Sequence, residues 1–545
     1  MSTGKVISYG TESQTKIIEG VNKVADAVKV SLGPAGAGVC ITNDFSSPEI
    51  SRDGATIAKA ISFSDDDLNA GARLIKDAAS LSESQSGDST TTTILLIQEL
   101  IKKGQKAIST GSNVNELKSG MIKAEKWVID YIKKFSTSVD GDFEKIRKVA
   151  TISANNNSQV GDLIVDCMKK VGENGIITAD LGSGLDYSID VTTGMKINRG
   201  WCAPIFVTSP EEGKCILDNP YIIVVDERLS SVNQILPAIQ RIQTTGNPFL
   251  IVCDEIDENV LALLAVNNTN GAFRCCIVKG IDFGDNRKNV MQDIACATGA
   301  TFITADNNVH MVDATDLSLF GTAKKVVVSR DSTIILEGAG NKEDVKKRVE
   351  ILQKLCSTTK SDFDKSKFKN RIASLAGGVA IIKVGGSTQV EQVNAKQTVE
   401  DAILASKSAV EEGVVPGSGY VYVSAFNELI NNNKINELDL VGDEIEGAKI
   451  VASSLPIIMD TVVYNAGASV DLVKQTVLDK IGTNYGFDAK SKKFCTLTDS
   501  GILDSAKCIR VALENAVSTA SMILTIGCTI TNEPVNNNDN KTSIM

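Results

Sequence analysis

An acidic, hydroxyl-rich turn that runs directly into an apolar segment restricts this chain more than any other feature. Gly87-Asp88-Ser89-Thr90-Thr91-Thr92-Thr93 is followed at once by Ile94-Leu95-Leu96-Ile97. Backbone amides freed at a helix start attract anions, threonine hydroxyls donate to phosphate oxygens, and a carboxylate set among phosphates requires a cation. Mg2+ is the cation that suits this donor set. Taken alone, the same residues also describe an ordinary Asp or Ser N-cap with an unusual threonine run.

A second glycine-rich turn, Ser31-Leu32-Gly33-Pro34-Ala35-Gly36-Ala37-Gly38, follows a stretch whose apolar residues Val21, Val24, Ala25 and Val28 recur at helical spacing. Its glycines would let backbone approach phosphate closely. No Lys-Ser or Lys-Thr pair follows them, which excludes an ordinary P-loop. On its own the turn reads as a helix stop.

At 545 residues the chain exceeds one ordinary core, so two or three domains are expected. Aromatics make up only 5%, which leaves aliphatic side chains to fill the cores and no evident surface for stacking nucleic-acid bases. A net charge of -11 argues against a dedicated polyanion binder. The 12 cysteines show no repeated Cys-x-x-Cys spacing, a pattern that suits reduced, mostly buried thiols better than zinc. His310 is the only histidine, so a two-histidine metal site is excluded and a structural role is expected for it. No apolar signal core opens the chain, and no run approaches the length of a membrane helix; a soluble, cytoplasmic protein is expected.

Residues 1 to about 135 and about 412 to 527 read as mostly helical. Between them, Tyr221-Ile222-Ile223-Val224-Val225, Phe249-Leu250-Ile251-Val252 and Cys275-Cys276-Ile277-Val278 are short continuous apolar runs, the pattern of buried strands in an α/β unit. Val232, Ile235, Leu236 and Ile239 form one helical stripe and Leu261, Leu264 and Ala265 another, which by periodicity alone indicates core. Gly194 and Gly377-Gly378 suit either a hinge or a plain turn. Lys and Asp alternate over 360–369, as on a solvated helical face. From Thr531 the chain is rich in Asn, Asp, Ser and Lys and is expected to be disordered.

Several further segments occur in a telling order: Ser51-Arg52-Asp53-Gly54, the Gly87 to Thr93 turn, Ile152-Ser153-Ala154-Asn155-Asn156, Phe283-Gly284-Asp285-Asn286-Arg287-Lys288, Val399-Glu400-Asp401-Ala402, Gly413-Val414-Val415-Pro416-Gly417-Ser418-Gly419 and Gly501-Ile502-Leu503-Asp504. Over roughly residues 3–528 they resemble the 60 kDa chaperonins of the bacterial and organellar group, the GroEL type. The resemblance implies a multidomain α/β and α chaperonin fold. Its parts would be a helical equatorial ATP-binding domain (1–135 and 412–527), a small α+β intermediate hinge domain (136–192 and 377–411), an α/β apical client-binding domain (193–376) and a disordered tail (528–545).

It also implies an ATPase coupled to protein folding, with ATP, Mg2+ and K+ as cofactors. The partners would be non-native polypeptides, a lid co-chaperonin and further copies of the chain in a seven-membered ring, single or double. Nucleic acid and membranes are not expected partners. By carry-over, Asp401 would orient or deprotonate the attacking water with Asp53 beside it. Asp88 would hold Mg2+, while Leu32, Gly33 and Pro34 with Ser89, Thr90, Thr91 and Thr92 would cradle phosphates. Backbone groups around Ser31 and Arg52, with Thr91, would hold K+. Ser418, Asp488, Ala489, Ile502 and Asp504 would surround adenosine. Trp201, Ile205, Phe206, Leu236, Ile239, Leu261, Ala265 and Val266 would form the apolar client surface.

The chain also departs from that pattern. Ser89 and Ser418 stand at usual glycines, Asp488 at an amide, and Ala35 and Ala37 where many relatives carry Lys and Arg. Asp460 and Ser469 stand where an arginine and a glutamate join two rings, so weakened or rearranged ring stacking is expected. These losses keep open an ATP-independent holdase or ring scaffold, against which the retained Asp53, Asp88 and Asp401 argue. A small-molecule kinase would need a Walker or kinase signature that the sequence lacks.

Overall fold

The computed structural model describes residues 5–43, 46–139, 141–154, 156–172, 175–182, 184–209, 213–281, 284–304, 310–359 and 362–532. The chain divides into two compact units, one from both ends up to Val165 and from Asn394, the other comprising Asp166–Val393. Residues 136–165 and 394–411 of the expected intermediate segments thus fall in the first unit, and 166–192 and 377–393 in the second.

The first unit is helical because its apolar residues keep helical spacing: Val21, Val24, Ala25 and Val28 are all fully buried on Gly10–Lys29. That helix lies against Asp66–Ser86, and two glycines allow the crossing. A Cβ on Gly20 would stand 2.0 Å from the Leu68 carbonyl oxygen, and one on Gly71 would stand 2.0 Å from that of Ile17. Thr90–Ser109, Val114–Phe135, Glu444–Ser454 and Ala506–Leu524 complete the core. Residues 444–465 are long and apolar enough by composition to cross a membrane, contrary to the expectation above. However, 72% of the most apolar window is buried in this core, and the stretch is two helices, Glu444–Ser454 and Ile457–Asn465.

The expectation of a disordered tail from 528 is corrected at its start. Cys528–Asn532 is a strand, antiparallel to Lys5–Tyr9, with Lys5 opposite Asn532. Thr529, Ile530 and Thr531 are β-branched and favour a pleated strand. The buried Thr529 hydroxyl donates to Asp67 Oδ1 at 2.7 Å and accepts from Ser13 at 2.9 Å, anchoring the pair. Residues 533–545 lie outside the described residues.

The second unit holds a ten-stranded mixed sheet. Tyr221–Leu229, Phe249–Ile256 and Cys275–Lys279 run parallel as neighbours, and Phe302–Ile303 pairs parallel with the first of them. These are the continuous apolar runs of the sequence, and the core residues Ile222 to Val225 and Phe249 to Cys253 are all buried. Gly194 and Gly378 lie inside paired strands, with Thr193 opposite Gly378. A Cβ on Gly194 would stand 2.4 Å from Val379 Cγ2, so close packing already requires glycine there. His310 is exposed, with Nδ1 2.8 Å from Glu227 Oε1, and it precedes the short helical turn Met311–Asp313. All twelve cysteines are free; six are buried and two, Cys40 and Cys528, are exposed.

Candidate functional site

An acidic cleft forms in the first unit where the Asp66–Ser86 helix turns into Thr90–Ser109. Gly87 and Ser89 both take left-handed backbone angles, φ +80° and +84°. Such a Ser89 leaves the new helix without a side-chain cap, so the amides of its first turn remain available to an anion. Thr91 and Thr92 are half-exposed there. Asp88 Oδ1 accepts from the Ser89 amide at 2.5 Å, and Oδ2 accepts from the Ser153 hydroxyl at 3.2 Å. Protein surrounds the Asp88 carboxyl closely enough that burial pushes its pKa up, yet the side chain is open to solvent. A group both enclosed and reachable is on the floor of a cleft.

The Gln389–Glu412 helix closes one wall. A Cβ on Gly87 would stand 1.8 Å from Leu404 Cβ, and the Ser408 hydroxyl donates to the Ser86 carbonyl at 2.8 Å. This contact brings Asp401 to the turn. Its pKa is raised well above the usual carboxylate range, by burial first and then by Asp53, Asp88, Glu83 and Glu400.

Asp53 caps the short Gly54–Ala60 helix: Oδ2 accepts from the Thr56 amide and hydroxyl at 2.7 Å each, and Oδ1 from the Ala55 amide at 3.3 Å. Asp53 is thus a helix cap, and its carboxylate still acts on Asp401 and Asp88 electrostatically. The Arg52 side chain is exposed. Gly54 lets this helix start abut Thr91, since a Cβ would stand 2.2 Å from Thr91 Oγ1.

Three groups here have no role assigned by the sequence: Ser408, Glu83 and Ser153, the last within a segment that carries the resemblance. Burial raises the Glu83 pKa, with Lys59 at 3.5 Å opposing and Asp53 and Asp88 adding to the rise. Its place four residues before Gly87, on the last turn of the helix, was the only signal.

The turn with Ser31, Leu32, Gly33 and Pro34 lies against the Ile457–Asn465 helix. Gly33 has φ +83°, and a Cβ there would stand 3.3 Å from Val462 Cγ1.

The remaining wall is built by pairing Val414–Pro416 antiparallel to Leu503–Ser505. A Cβ on Gly417 would stand 3.1 Å from Asp504 Oδ1 and 3.2 Å from Ile502 Cγ2. Ser418, at φ +58°, donates from Oγ to the Phe487 carbonyl at 3.5 Å, next to Asp488 and the buried Ala489. Asp488 Oδ1 accepts from the Lys490 amide at 2.9 Å. Asp504 has its pKa pushed up to about 7 by burial and then by Asp88, which ties this wall to the phosphate turn. Ser89 and Ser418, the two serines at usual glycine positions, thus keep a glycine-like backbone at a cost of about 1–2 kcal/mol each.

Among the described residues no three His, Cys, Asp or Glu side chains converge to hold a metal by themselves. Mg2+ commonly needs only one or two carboxylates when phosphate oxygens complete its shell, so Asp88 beside free amides fits a Mg2+-phosphate pair.

The TCP-1/cpn60 chaperonin family model matches residues 24–534. The chain belongs to this family. The chaperonin gp146 from bacteriophage EL 2 (Pseudomonas aeruginosa), crystallised in the presence of ATP-BeFx, shares the fold. Its crystal form II superposes with a TM-score of 0.72 at 21% identity, covering 97% of this chain and 99% of that one. Crystal form I gives 0.65 at 22% identity over the same shares, 97% and 99%. The chaperonin fold expected from the sequence is therefore present, in a sequence far from this structural neighbour.

The expected client surface of this chaperonin is only partly a surface. Ile205, Leu236 and Val266 are exposed, by 49%, 39% and 57%, and Trp201 and Leu261 are half-buried. Phe206, Ile239 and Ala265 are a correction: they are buried in the core of the second unit and form no part of its surface. The Glu258–Thr269 helix is apolar nearly all round from Val260 to Val266, so periodicity could not choose its outer face. That face carries Leu263, 40% exposed, which the sequence reading missed.

Asp460 and Ser469, where the resemblance leads one to expect a lost ring contact, have their own chemistry in this chain. Asp460 Oδ2 pairs with Lys474 of the same chain at 2.7 Å, and Ser469 precedes the Val470–Asp479 helix.

Proposed function

We propose that this chaperonin is an ATP-driven folding machine. It captures non-native polypeptides on exposed apolar side chains of residues 193–376, among them Ile205, Leu236, Leu263 and Val266, and encloses them in the cavity of a homo-oligomeric ring. The observation that carries this reading is the convergence of Asp401, Asp53 and Asp88 on the uncapped start of Thr90–Ser109.

In this reading the first-turn amides and the Thr91 and Thr92 hydroxyls position phosphates, and Ser418, Ile502 and Asp504 hold the nucleoside. Mg2+, when bound with ATP, supplies the positive charge that neutralises the phosphates beside Asp88. Asp401 orients a water and takes its proton; burial and the neighbouring acids raise its proton affinity. Asp53, held by its cap bonds, stays fixed beside that water. The phage neighbour's crystallisation with ATP-BeFx supports a nucleotide in this fold. A seven-membered ring, its stacking, K+ dependence and a lid partner belong to the same proposal.

A holdase without ATP turnover has two observations in its favour: the strained Ser89 and Ser418, and the exposed Ala35 and Ala37 that carry no charge. Steady-state hydrolysis by the purified assembly in KCl and in NaCl decides between them. Potassium-dependent turnover that falls at least about 100-fold in Asp401→Ala is expected; no turnover by the parent in either salt would leave the holdase.

A further inference from the structure

One short helix, Ile457–Asn465, underlies both glycine turns of the cleft. Near its start a Cβ on Gly419 would stand 2.8 Å from the Met459 amide nitrogen and 3.3 Å from Ile458 Cβ. Further along, Val462 fills the space beneath Gly33. At its last residue, Asn465 Nδ2 donates to the Lys29 and Leu32 carbonyls, 2.9 Å each. Two acceptors on one side fix which end of the amide faces them.

The hydrogen bonds of this segment leave one group over. The Val28 carbonyl accepts from the Ser31 amide and hydroxyl, Val30 from the Ala37 amide, and Gly33 from the Gly36 amide. Lys29 accepts from the Leu32 amide and, like Leu32, from Asn465. Among the described residues, the Ser31 carbonyl is the one from Val28 to Gly33 that accepts no hydrogen bond. A backbone carbonyl held without a donor is an acceptor for a cation or water.

We propose that Asn465 is a positioning residue for the cation side of the nucleotide cleft. By clasping the carbonyls on either side of Ser31, it fixes those peptides and presents the Ser31 carbonyl to a monovalent cation beside the phosphates. The inference rests on the nucleotide-site reading above. Asn465 touches neither nucleotide nor cation; it acts through the turn. Ser31 alone cannot do this, because its hydroxyl is spent on Val28.

The test measures MgADP affinity of the assembled protein by calorimetry across KCl, with NaCl keeping ionic strength constant, beside ATP turnover in the same series. Asn465→Asp keeps the volume and removes both donors, and Asn465→Ala removes the side chain. Val463→Ala, a fully buried position on the same helix, controls for lost stability. In both Asn465 variants the KCl giving half of the affinity gain should rise about tenfold, with turnover at saturating KCl within about twofold of the parent, from two lost hydrogen bonds. Val463→Ala should lower the melting temperature without moving the KCl midpoint.

The proposal is overturned if both Asn465 variants keep the parental midpoint, if Val463→Ala moves it equally, or if the parent binds MgADP equally in KCl and NaCl. A parent that binds no MgADP at all overturns the nucleotide-site reading itself and the inference with it.

Discussion

The proposed nucleotide cleft and the proposed client face differ in how tightly their residues are held. In the cleft, each key group is fixed by backbone geometry: Gly87 by the close approach of Leu404, Asp53 by three cap bonds, and Ser89 by a left-handed angle. On the client face nothing comparable holds Val266 or Leu263; they are simply the outward side chains of an apolar helix. Recognition of many unfolded chains tolerates such freedom, whereas positioning a phosphate does not. Substitutions should therefore act through backbone in one region and through exposure in the other.

The strongest way to break this contrast is Gly87→Ala. Its methyl would meet Leu404 at 1.8 Å and its φ is +80°, so about 3 kcal/mol of stability should be lost in denaturant titration, with ATP turnover lost too. An unchanged Gly87→Ala protein would mean that the Gln389–Glu412 helix does not form the wall described. Next is a paired test on the client face. Ile239→Ser should cost about 3 kcal/mol in stability because it opens the core, while Val266→Ser should leave stability within about 0.5 kcal/mol and weaken capture of a denatured client several-fold. Equal effects on capture at constant stability would return Ile239 to the surface.

A smaller effect comes from Asp504. Its folded pKa near 7 lies above its ordinary value of 3.8, so between those pH values the folded chain keeps a proton that the unfolded chain has released. The stability from this group is complete below pH 3.8 and is lost as pH rises to about 7. Asp504→Asn should flatten that part of the pH–stability curve; an unaltered slope would place the carboxyl in a wetter setting. The smallest effect belongs to Ser89→Gly, which relieves left-handed strain but gives up chain rigidity and the buried Ser89 hydrogen bond to Cys508, so stability should change by no more than about 0.5 kcal/mol. A Ser89→Gly protein destabilised by more than about 1 kcal/mol would mean that the hydrogen bond to Cys508 outweighs the strain.

Much of the fold was legible because its signals are local. Val21 to Val28 keep helical spacing, and the runs at 221 and 249 are apolar without a break because both faces of those strands are covered. The acidic turn at 87–93 was legible as chemistry, since an acid and threonines before an apolar helix have few other uses. What stayed hidden depends on distance or on choice of face. Asn465 meets carbonyls more than 430 positions away, and no spacing rule links them. Phe206, Ile239 and Ala265 were apolar on any reading, and only packing told inside from outside. The strand at 528–532 was masked by the asparagines after it, although its own residues are β-branched.

The pairing of Lys5–Tyr9 with Cys528–Asn532 sets an order on the protein's birth. A ribosome adding about 5–20 residues per second needs roughly 25–100 s to make the 500-odd residues between the two strands. Through that interval the first helices have been synthesised without the partners that cover them, while the contiguous Asp166–Val393 unit already has every strand of its sheet. A chain of this design thus has its two ends apart, and its outermost strand pair unmade, until synthesis is nearly over.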